Sequence, residues 1–188
     1  SFSKNKNIAF SGYHGWYDWY LAANLNGKNN LTEHLLPGLN PLGVPKQLKG
    51  SIFPFKYNNI EDCEKIINKN KNIGIIVIEG ARYTLPNKNF VKCINTLVKR
   101  KKLILIIDEI TSGFRISNTG VYASVGLKPD IVVYGKGLGN GYAITAVVGK
   151  RKIMDKAQES FISSTNWSER IGFVAGLKTI EIISRDKC

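Results

Sequence analysis

Apolar residues occur along this chain in two patterns, continuous runs and spaced positions. Continuous runs rich in β-branched residues predict buried strands at 51–55, 73–78, 103–107 and 131–134. Between them, apolar spacings of three and four predict amphipathic helices at 60–68 and 89–101. Asn59, with Asp62 three residues later, is the predicted cap of the first of these helices. Unalternating strands separated by such helices predict an α/β protein, with a mostly parallel sheet and helices on both of its faces.

The flanking segments are less regular. A short strand at 8–10 ends at Ser11 and Gly12, and a further strand and a final helix are predicted at 143–148 and 169–183. An aromatic-rich stretch at 15–25 favours a helix. The segment at 26–50 contains three prolines and is expected to be irregular, which is typical of functional loops or of segments that cover a partner.

Composition restricts the class of protein further. The 188 residues include 27 Lys and Arg against 14 Asp and Glu, a net charge of +13, with 43% hydrophobic residues. The hydrophobic content is sufficient for a core and excludes a disordered basic tail. The lysines are spread along the chain beside asparagines, which favours a solvated basic surface over a nucleic-acid partner. No apolar run approaches the ~20 residues of a membrane span, so no membrane partner is predicted.

The cysteines indicate neither a metal site nor disulfides. Cys63, Cys93 and Cys188 are scattered, and no CxxC pair occurs. Free thiols of this kind fit a reducing cytosol, so a cytoplasmic protein is expected.

Three ionisable residues stand at or just beyond the ends of predicted strands: Glu79, Asp108 and Lys136. Ligands of parallel α/β sheets gather at these carboxyl ends. A desolvated lysine there can form a Schiff base with a carbonyl, and a buried acid can keep a pyridinium nitrogen protonated, as pyridoxal phosphate enzymes require. A structural Lys–Asp ion pair at the strand ends remains the alternative.

A second functional hypothesis comes from nucleotide chemistry. The apolar strand followed by Asp108 and Glu109 resembles the magnesium-binding strand of P-loop ATPases. With the +13 charge, it gives the alternative of an ATPase fragment acting on nucleic acid. However, no GxxxxGK[ST] motif occurs, and the glycines at 137–141 do not form a dinucleotide fingerprint.

Four segments taken together resemble the class III pyridoxal-phosphate-dependent aminotransferases, within them the glutamate-1-semialdehyde aminomutase-like branch. These are YHGWYDWY at 13–20, DEITSGFR at 108–115, KPDI at 128–131 and GKGLGNGY at 135–142. The resemblance implies the large domain of the fold-type I enzymes, in a homodimer with shared active sites. It implies an aminotransferase or aminomutase that uses pyridoxal 5'-phosphate, an internal aldimine and a pyridoxamine phosphate intermediate. The partners would be a small-molecule amino donor and an oxo acceptor.

The resemblance also implies roles for two catalytic residues. Lys136 matches the lysine that forms the internal aldimine and then moves the proton between substrate and cofactor. Asp108 matches the aspartate that pairs with the pyridine nitrogen of the cofactor. A non-catalytic relative that keeps only the fold and the dimer interface is a third hypothesis, and the retention of Lys136 and Asp108 disfavours it.

Five further residues match cofactor-binding positions of the family. Tyr13 and Ile110 correspond to side chains on the two faces of the cofactor ring, and Thr165 to a threonine that reaches the cofactor phosphate of the other subunit. Glu79 matches the strand-end glutamate, although Gly80 replaces the usual proline. His14 lies in the same motif as Tyr13, and a structural turn histidine is its alternative reading. His34 receives no role.

The extent of the resemblance leads to an expectation about domains. Residues 1–188 correspond to the central part of the cofactor-binding large domain, without the N-terminal segment that contains the phosphate-binding turn and without the small C-terminal domain. Within the matched part, Thr111 replaces a common glutamine, and residues 167–170 replace a common Gly-Asn-Pro. The residues do not separate an aminotransferase from an aminomutase.

Overall fold

The structure, a computed structural model, describes residues 5–165 and 167–186. Six strands form one sheet in the order β2-β1-β3-β4-β5-β6. They are β1 (Asn7–Ser11), β2 (Ile52–Pro54), β3 (Ile73–Glu79), β4 (Ile104–Asp108), β5 (Ile131–Tyr134) and β6 (Ala146–Gly149). The first five are mutually parallel, and β6 pairs antiparallel with β5 at the edge. The predicted α/β class with a mostly parallel sheet is therefore confirmed.

Helices and turns connect the strands. The helices are α1 (Asp18–Leu21), α2 (Ile60–Lys69), α3 (Lys88–Lys101), α4 (Val121–Val125), α5 (Arg151–Ala157) and α6 (Arg170–Asp186). Both α2 and α3 begin where an asparagine side chain accepts a hydrogen bond from the third residue beyond it. Asn59 accepts from the Asp62 N–H at 2.8 Å, and Asn87 accepts from the Phe90 N–H at 2.8 Å. These caps satisfy N–H groups that the first helical turn leaves without an intrahelical acceptor.

Two apolar cores cover the two faces of the sheet. On one face, α2 and α3 contribute Ile67, Phe90 and Ile94 to a cluster with Ile76 and Leu105. The other face is covered by the segment between β1 and β2, whose buried residues include Tyr20, Leu31 and Val44. The irregular segment therefore serves as part of the core, which explains why it contains buried leucine and valine.

Strand register aligns the ends of the central strands. Glu79 pairs with Asp108, Asp108 pairs with Val133, and Ser11 pairs with Ile78. Since β1, β3, β4 and β5 are adjacent and parallel, the residues that follow them are brought to one edge of the sheet. The functional candidates lie at this edge.

Several flanking elements differ from their predicted bounds. The helix expected over 15–25 begins at Asp18 and tightens into a 3₁₀ turn at Ala22–Leu25, while β6 begins at Ala146 rather than at residue 143. The short helices α4 and α5 were not predicted. No described helix is long and apolar enough to cross a membrane. Cys63 and Cys93 are free thiols, whereas Cys188 lies outside the described residues.

Candidate functional site at the carboxyl edge of the sheet

Asp108 is the centre of the candidate site. Its Oδ2 lies 2.8 Å from Nδ1 of His14, and its Oδ1 accepts a hydrogen bond from the Ile110 N–H at 3.0 Å. The His14 Nε2 lies 3.2 Å from the Ser11 carbonyl oxygen, so the ring is held from both sides. With 13% of its side chain exposed, the Asp108 carboxylate is partly desolvated and fixed in orientation. His14 thus acts on Asp108 through a direct contact.

Lys136 follows β5 and faces the same edge. Its Nζ donates a hydrogen bond to Oγ1 of Thr111 at 2.9 Å. Its backbone φ is +38°, a left-handed conformation that is costly for a residue with a side chain and is enriched at active sites. In the described residues Lys136 and Asp108 form no ion pair with each other, so the structural-pair alternative is not what this structure shows.

Ile110 and Thr111 connect the two ionisable groups. The Ile110 main chain binds Asp108, and its side chain lies next to Gly135, where an added Cβ would stand 3.6 Å from it. Thr111 holds the lysine amine. A continuous series of contacts therefore runs from His14 through Asp108 and residues 110–111 to Lys136, as expected if these side chains serve one ligand.

Glu79 is held by groups of the protein itself. Its Oε2 accepts from the Tyr13 N–H at 3.1 Å and from Nη1 of Arg82 at 2.9 Å. Burial raises the pKa of Glu79, and the Tyr13 N–H and the Arg82 guanidinium oppose that rise. The Glu79 carboxylate, which was predicted as a cofactor contact, therefore lies against the main chain of Tyr13, the residue before His14.

Tyr13 lies in a cluster of aromatic rings at the end of β1. Its ring makes edge contacts with Trp16 at 6.0 Å and with Tyr20 at 5.9 Å between centroids. Tyr20 is fully buried, whereas Trp16 and Tyr17 are 59% and 63% exposed, so only part of the aromatic stretch serves as core. Tyr13 itself is half-buried, which leaves ring surface available to a ligand.

Thr165 is exposed and lies between β6 and α6. Its neighbours Ser163, Ser164 and Trp167 line a cavity of about 790 Å³ that Lys136 also lines. Asn166, in the same predicted motif, lies outside the described residues. The structure therefore brings the neighbourhood of Thr165 to the lysine side of the site, and its contact with a cofactor phosphate stays a prediction.

Gly80, the departure from the family pattern, is explained by its surroundings. Its N–H donates to the Asp108 carbonyl at 2.8 Å, a bond that proline could not make. A Cβ at this position would stand 2.4 Å from Oε1 of Glu109. In this chain, glycine at position 80 therefore allows β3 to be joined closely to β4 beside Asp108.

Glu109 is fully buried and is bound by groups of the protein itself. Its carboxylate accepts from the Ser112 hydroxyl at 2.5 Å and from the Tyr122 N–H at 2.8 Å. It joins the loop after β4 to the start of α4. A buried carboxylate used in this way does not resemble the solvent-facing acid of an ATPase strand.

Sequence reasoning missed three residues of this edge. Thr111 accepts a hydrogen bond from Lys136. Arg82 donates to Glu79, and His34 accepts from the Gly12 N–H, so both act next to Tyr13. The arginine three residues after the strand-end glutamate was an available signal for Arg82. His34 gave none, because its importance depends on a fold contact with Gly12, 22 residues away.

The residues present fit the predicted cofactor. An amine, a carboxylate fixed by an imidazole and an aliphatic side chain lie at one sheet edge, in the contacts given above. A fixed carboxylate suits a protonated pyridine nitrogen, and an amine suits an aldehyde carbon. Within the described residues, no group of three or more His, Cys, Asp and Glu could hold a metal ion.

Comparison with known proteins finds relatives of this chain. Residues 2–188 match the family model for aminotransferase class-III. The chain is 36% identical over 188 residues to the 3-aminobutyryl-CoA aminotransferase of Cloacimonas acidaminovorans, covering 96% of this chain and 41% of that protein. It is 34% identical over 192 residues to the glutamate-1-semialdehyde 2,1-aminomutase of Nitrosopumilus maritimus, covering 98% and 44%. The chain thus spans less than half the length of these curated relatives.

Solved structures show the same fold. The FumI protein of Sphingopyxis sp. MTA144, in its PLP internal aldimine form, superposes with a TM-score of 0.79 at 20% identity, covering 96% of this chain and 42% of that one. An omega-transaminase from Sphaerobacter thermophilus superposes with a TM-score of 0.78 at 21% identity, covering 95% and 44%. None of these comparisons supports the ATPase alternative.

Proposed function

Because the chain belongs to the class-III aminotransferase family, we propose that its complete protein transfers amino groups with pyridoxal phosphate held at Lys136. The observation that supports this most directly is the series of contacts from His14 and Asp108 to Thr111 and Lys136. When bound, the cofactor supplies a carbonyl carbon that condenses with amines and a ring that accepts electrons.

Each residue of the site would have a separate role. The Asp108 carboxylate, oriented by His14 and the Ile110 N–H, would face the ring nitrogen and stabilise its positive charge. Lys136 would hold the cofactor, and its freed Nζ would then take a proton from the substrate carbon and return it as general base and acid. Thr111 keeps that amine at the strand end.

The remaining predicted contacts are proposed with the same cofactor. Tyr13 and Ile110 would lie on opposite faces of its ring, and Thr165 would reach the phosphate bound to a second subunit. We propose a homodimer with shared sites, supported by the apolar residues that α6 exposes, among them Val174 and Leu177. Residues 1–188 would correspond to the central part of the large domain of the relatives, and the free thiols Cys63 and Cys93 suit a cytoplasmic protein.

Covalent trapping tests the central assignment. After incubation with pyridoxal phosphate and reduction with borohydride, peptide mapping of the complete protein should find the adduct on Lys136. Lys136→Ala should give no adduct, whereas the control Lys150→Ala should label normally. An adduct on another lysine in the wild type would contradict the proposal.

Asp108→Asn tests the acid. We expect this variant to fold and to bind cofactor but to lose amino-group transfer by about 100-fold or more, as when one preorganised charge-stabilising group is removed. Activity near that of the wild type would show that Asp108 is structural. An assay with a single substrate measures rearrangement within one molecule, whereas an assay with an amino donor and a separate acceptor measures transfer between molecules.

A further inference from the structure

The turn at residues 12–14 lies outside the strands of the sheet. It follows β1 and positions both Tyr13 and His14. Gly12 has a φ of +115°, and a Cβ there would stand 2.4 Å from Oε2 of Glu79. The turn is therefore sharp and lies directly against the Glu79 carboxylate. The conformation of the turn depends on the side chains that bind its main chain.

Side chains from distant parts of the chain bind the main chain of this turn. The Gly12 N–H donates to Nδ1 of His34 at 3.2 Å, and the Tyr13 N–H donates to Oε2 of Glu79 at 3.1 Å. The Gly12 carbonyl accepts from the Tyr20 hydroxyl at 3.0 Å. The turn is thus fixed from three directions, immediately before His14.

Arg82 binds two of the residues whose side chains accept hydrogen bonds from this turn, Glu79 and His34. Its Nη1 donates to Glu79 Oε2 at 2.9 Å, and its Nη2 donates to the His34 carbonyl. The fork of the guanidinium suits two acceptors at once. The Arg82 side chain is only 16% exposed, so these bonds are shielded from water. Glu79, Arg82 and His34 are called the Arg82 cluster below.

The electrostatics of the cluster agree with this arrangement. Burial and the nearby Arg82 lower the pKa of His34 to about 4, with Glu33 and Asp62 opposing and His14 reinforcing the shift. His34 is therefore neutral at pH 7, and its Nδ1 can accept from Gly12. Glu79, opposite the guanidinium, supplies the matching negative charge.

We infer that the Arg82 cluster positions the turn at residues 12–14, and through it the Tyr13 ring and the imidazole that orients Asp108. Arg82 and His34 act on the turn and not on the cofactor, so they are positioning residues, while Glu79 binds the turn in addition to its predicted cofactor contact. The inference rests on the proposed function only for its catalytic consequence, because a small displacement of a reacting group can reduce a rate by about 100-fold.

Hydrogen exchange in the cofactor-free complete protein tests the structural part. In Arg82→Met, the Gly12 and Tyr13 amides should exchange about tenfold faster or more, as expected on weakening bonds to a charged network. Amides of α3 should be unchanged. Lys150→Met is the control, because it removes an ion pair of 2.7 Å with Asp130 away from the site. Unchanged exchange at residues 12 and 13 in Arg82→Met would overturn the inference.

Conservative variants keep the test decisive if Arg82→Met does not fold. Arg82→Lys keeps the charge and loses the fork, so exchange should be intermediate. His34→Asn, with a side-chain oxygen near the position of Nδ1, should protect the Gly12 amide, whereas His34→Leu should not. Equal protection in His34→Asn and His34→Leu would also overturn the inference.

Cofactor binding tests the functional part. Arg82→Met should bind pyridoxal phosphate about tenfold more weakly or worse and change the visible circular dichroism of the bound cofactor, whereas Lys150→Met should match the wild type. If the wild type binds no cofactor at Lys136, the proposed function fails, and hydrogen exchange still decides whether the cluster holds the turn. If Arg82→Met matches the wild type in affinity and dichroism, the positioning role is rejected.

Discussion

His34 is a buried histidine that stays neutral because protonation would place a charge in a desolvated site, and beside the Arg82 cation. Its pKa is lowered from 6.5 to about 4 in the folded protein, mainly by burial. Between these values the unfolded chain binds a proton that the folded chain does not, so acid favours unfolding. The contribution of His34 to stability is therefore complete above pH 6.5 and is lost as the pH falls towards 4.

This gives a prediction for the variant His34→Asn, which keeps an acceptor for Gly12 but does not titrate. Relative to this variant, the wild type should lose about 2 kcal/mol of unfolding free energy between pH 7 and pH 5. Urea unfolding at the two pH values measures the difference. Parallel loss of stability in both proteins would contradict the assignment to His34, since all other ionisable groups are the same in both.

At the scale of single residues, sequence could predict the groups that lie in motifs. Asp108 and Lys136 were identified from strand ends and family pattern, and His14 was left open between ligand and structural residue. The structure shows His14 in contact with Asp108. A histidine that orients a carboxylate in this way has a structural position and a functional effect. No role was predicted for Arg82 or His34, because the hydrogen bond between them joins residues that are 48 positions apart in the sequence.

Helix caps are the element-scale feature that sequence predicted directly. The cap of α2 was inferred from Asn59 with Asp62 three residues later, and the structure shows that bond at 2.8 Å. Asn59→Ala should lower the unfolding free energy by about 1 kcal/mol, the typical cost of a lost cap. Asn59→Ser, which keeps a side-chain oxygen, should recover most of it. Equal stability of the alanine and serine variants in urea unfolding would show that the cap contributes nothing.

The accuracy of the predicted elements follows from their burial. The central strands are continuous β-branched runs covered on both faces, so their apolar signal is strong and their positions were predicted within one or two residues. The edge strand β6 exposes Val147 and Val148, and its predicted start was three residues early. Helix α4 has five residues, too few to show a helical period in sequence.

For the whole molecule, the surface of α6 is the most unusual feature. The helix packs through Gly172 and Gly176, where added Cβ atoms would meet Ala143 and Leu138. Several of its exposed residues are apolar: Val174 is 65% exposed and Leu177 is 70% exposed. Contiguous apolar surface of this kind marks a protein interface more often than a free surface.

This surface gives a prediction about assembly. Leu177→Glu combined with Val174→Lys should weaken self-association of the complete protein by about tenfold or more, since each side chain loses an apolar contact. Leu42→Glu, at a leucine that is 83% exposed in the irregular segment, is the control. Analytical ultracentrifugation over a range of concentrations measures the effect. Unchanged association in the double variant would remove α6 from the interface.

The order of the strands lay beyond what periodicity can predict. Apolar runs predicted that strands exist, but not that β1 lies between β2 and β3 or that β6 runs antiparallel. The convergence of Tyr13, Asp108 and Lys136 depends on that order. The approach of Asp108 and Lys136 was expected from their places at strand ends, whereas that of Tyr13 was expected only from the resemblance to a known family, because pairing between distant strands leaves no local signal in the sequence.

The parallel pairing of β1 with β3 has a consequence for how the protein is made. Ile8 pairs with Ile75, and the site also needs Lys136, which follows Tyr13 by 136 − 13 = 123 residues. At the ribosome's pace of about 5–20 residues per second, Tyr13 precedes Lys136 by roughly 6–25 seconds. Until β3 is synthesised, about halfway through that interval, β1 lacks at least one of its two partners in the sheet and stands beside its cluster of aromatic residues. Chaperones that shield apolar segments would therefore act on β1 well before the lysine that completes the site is synthesised.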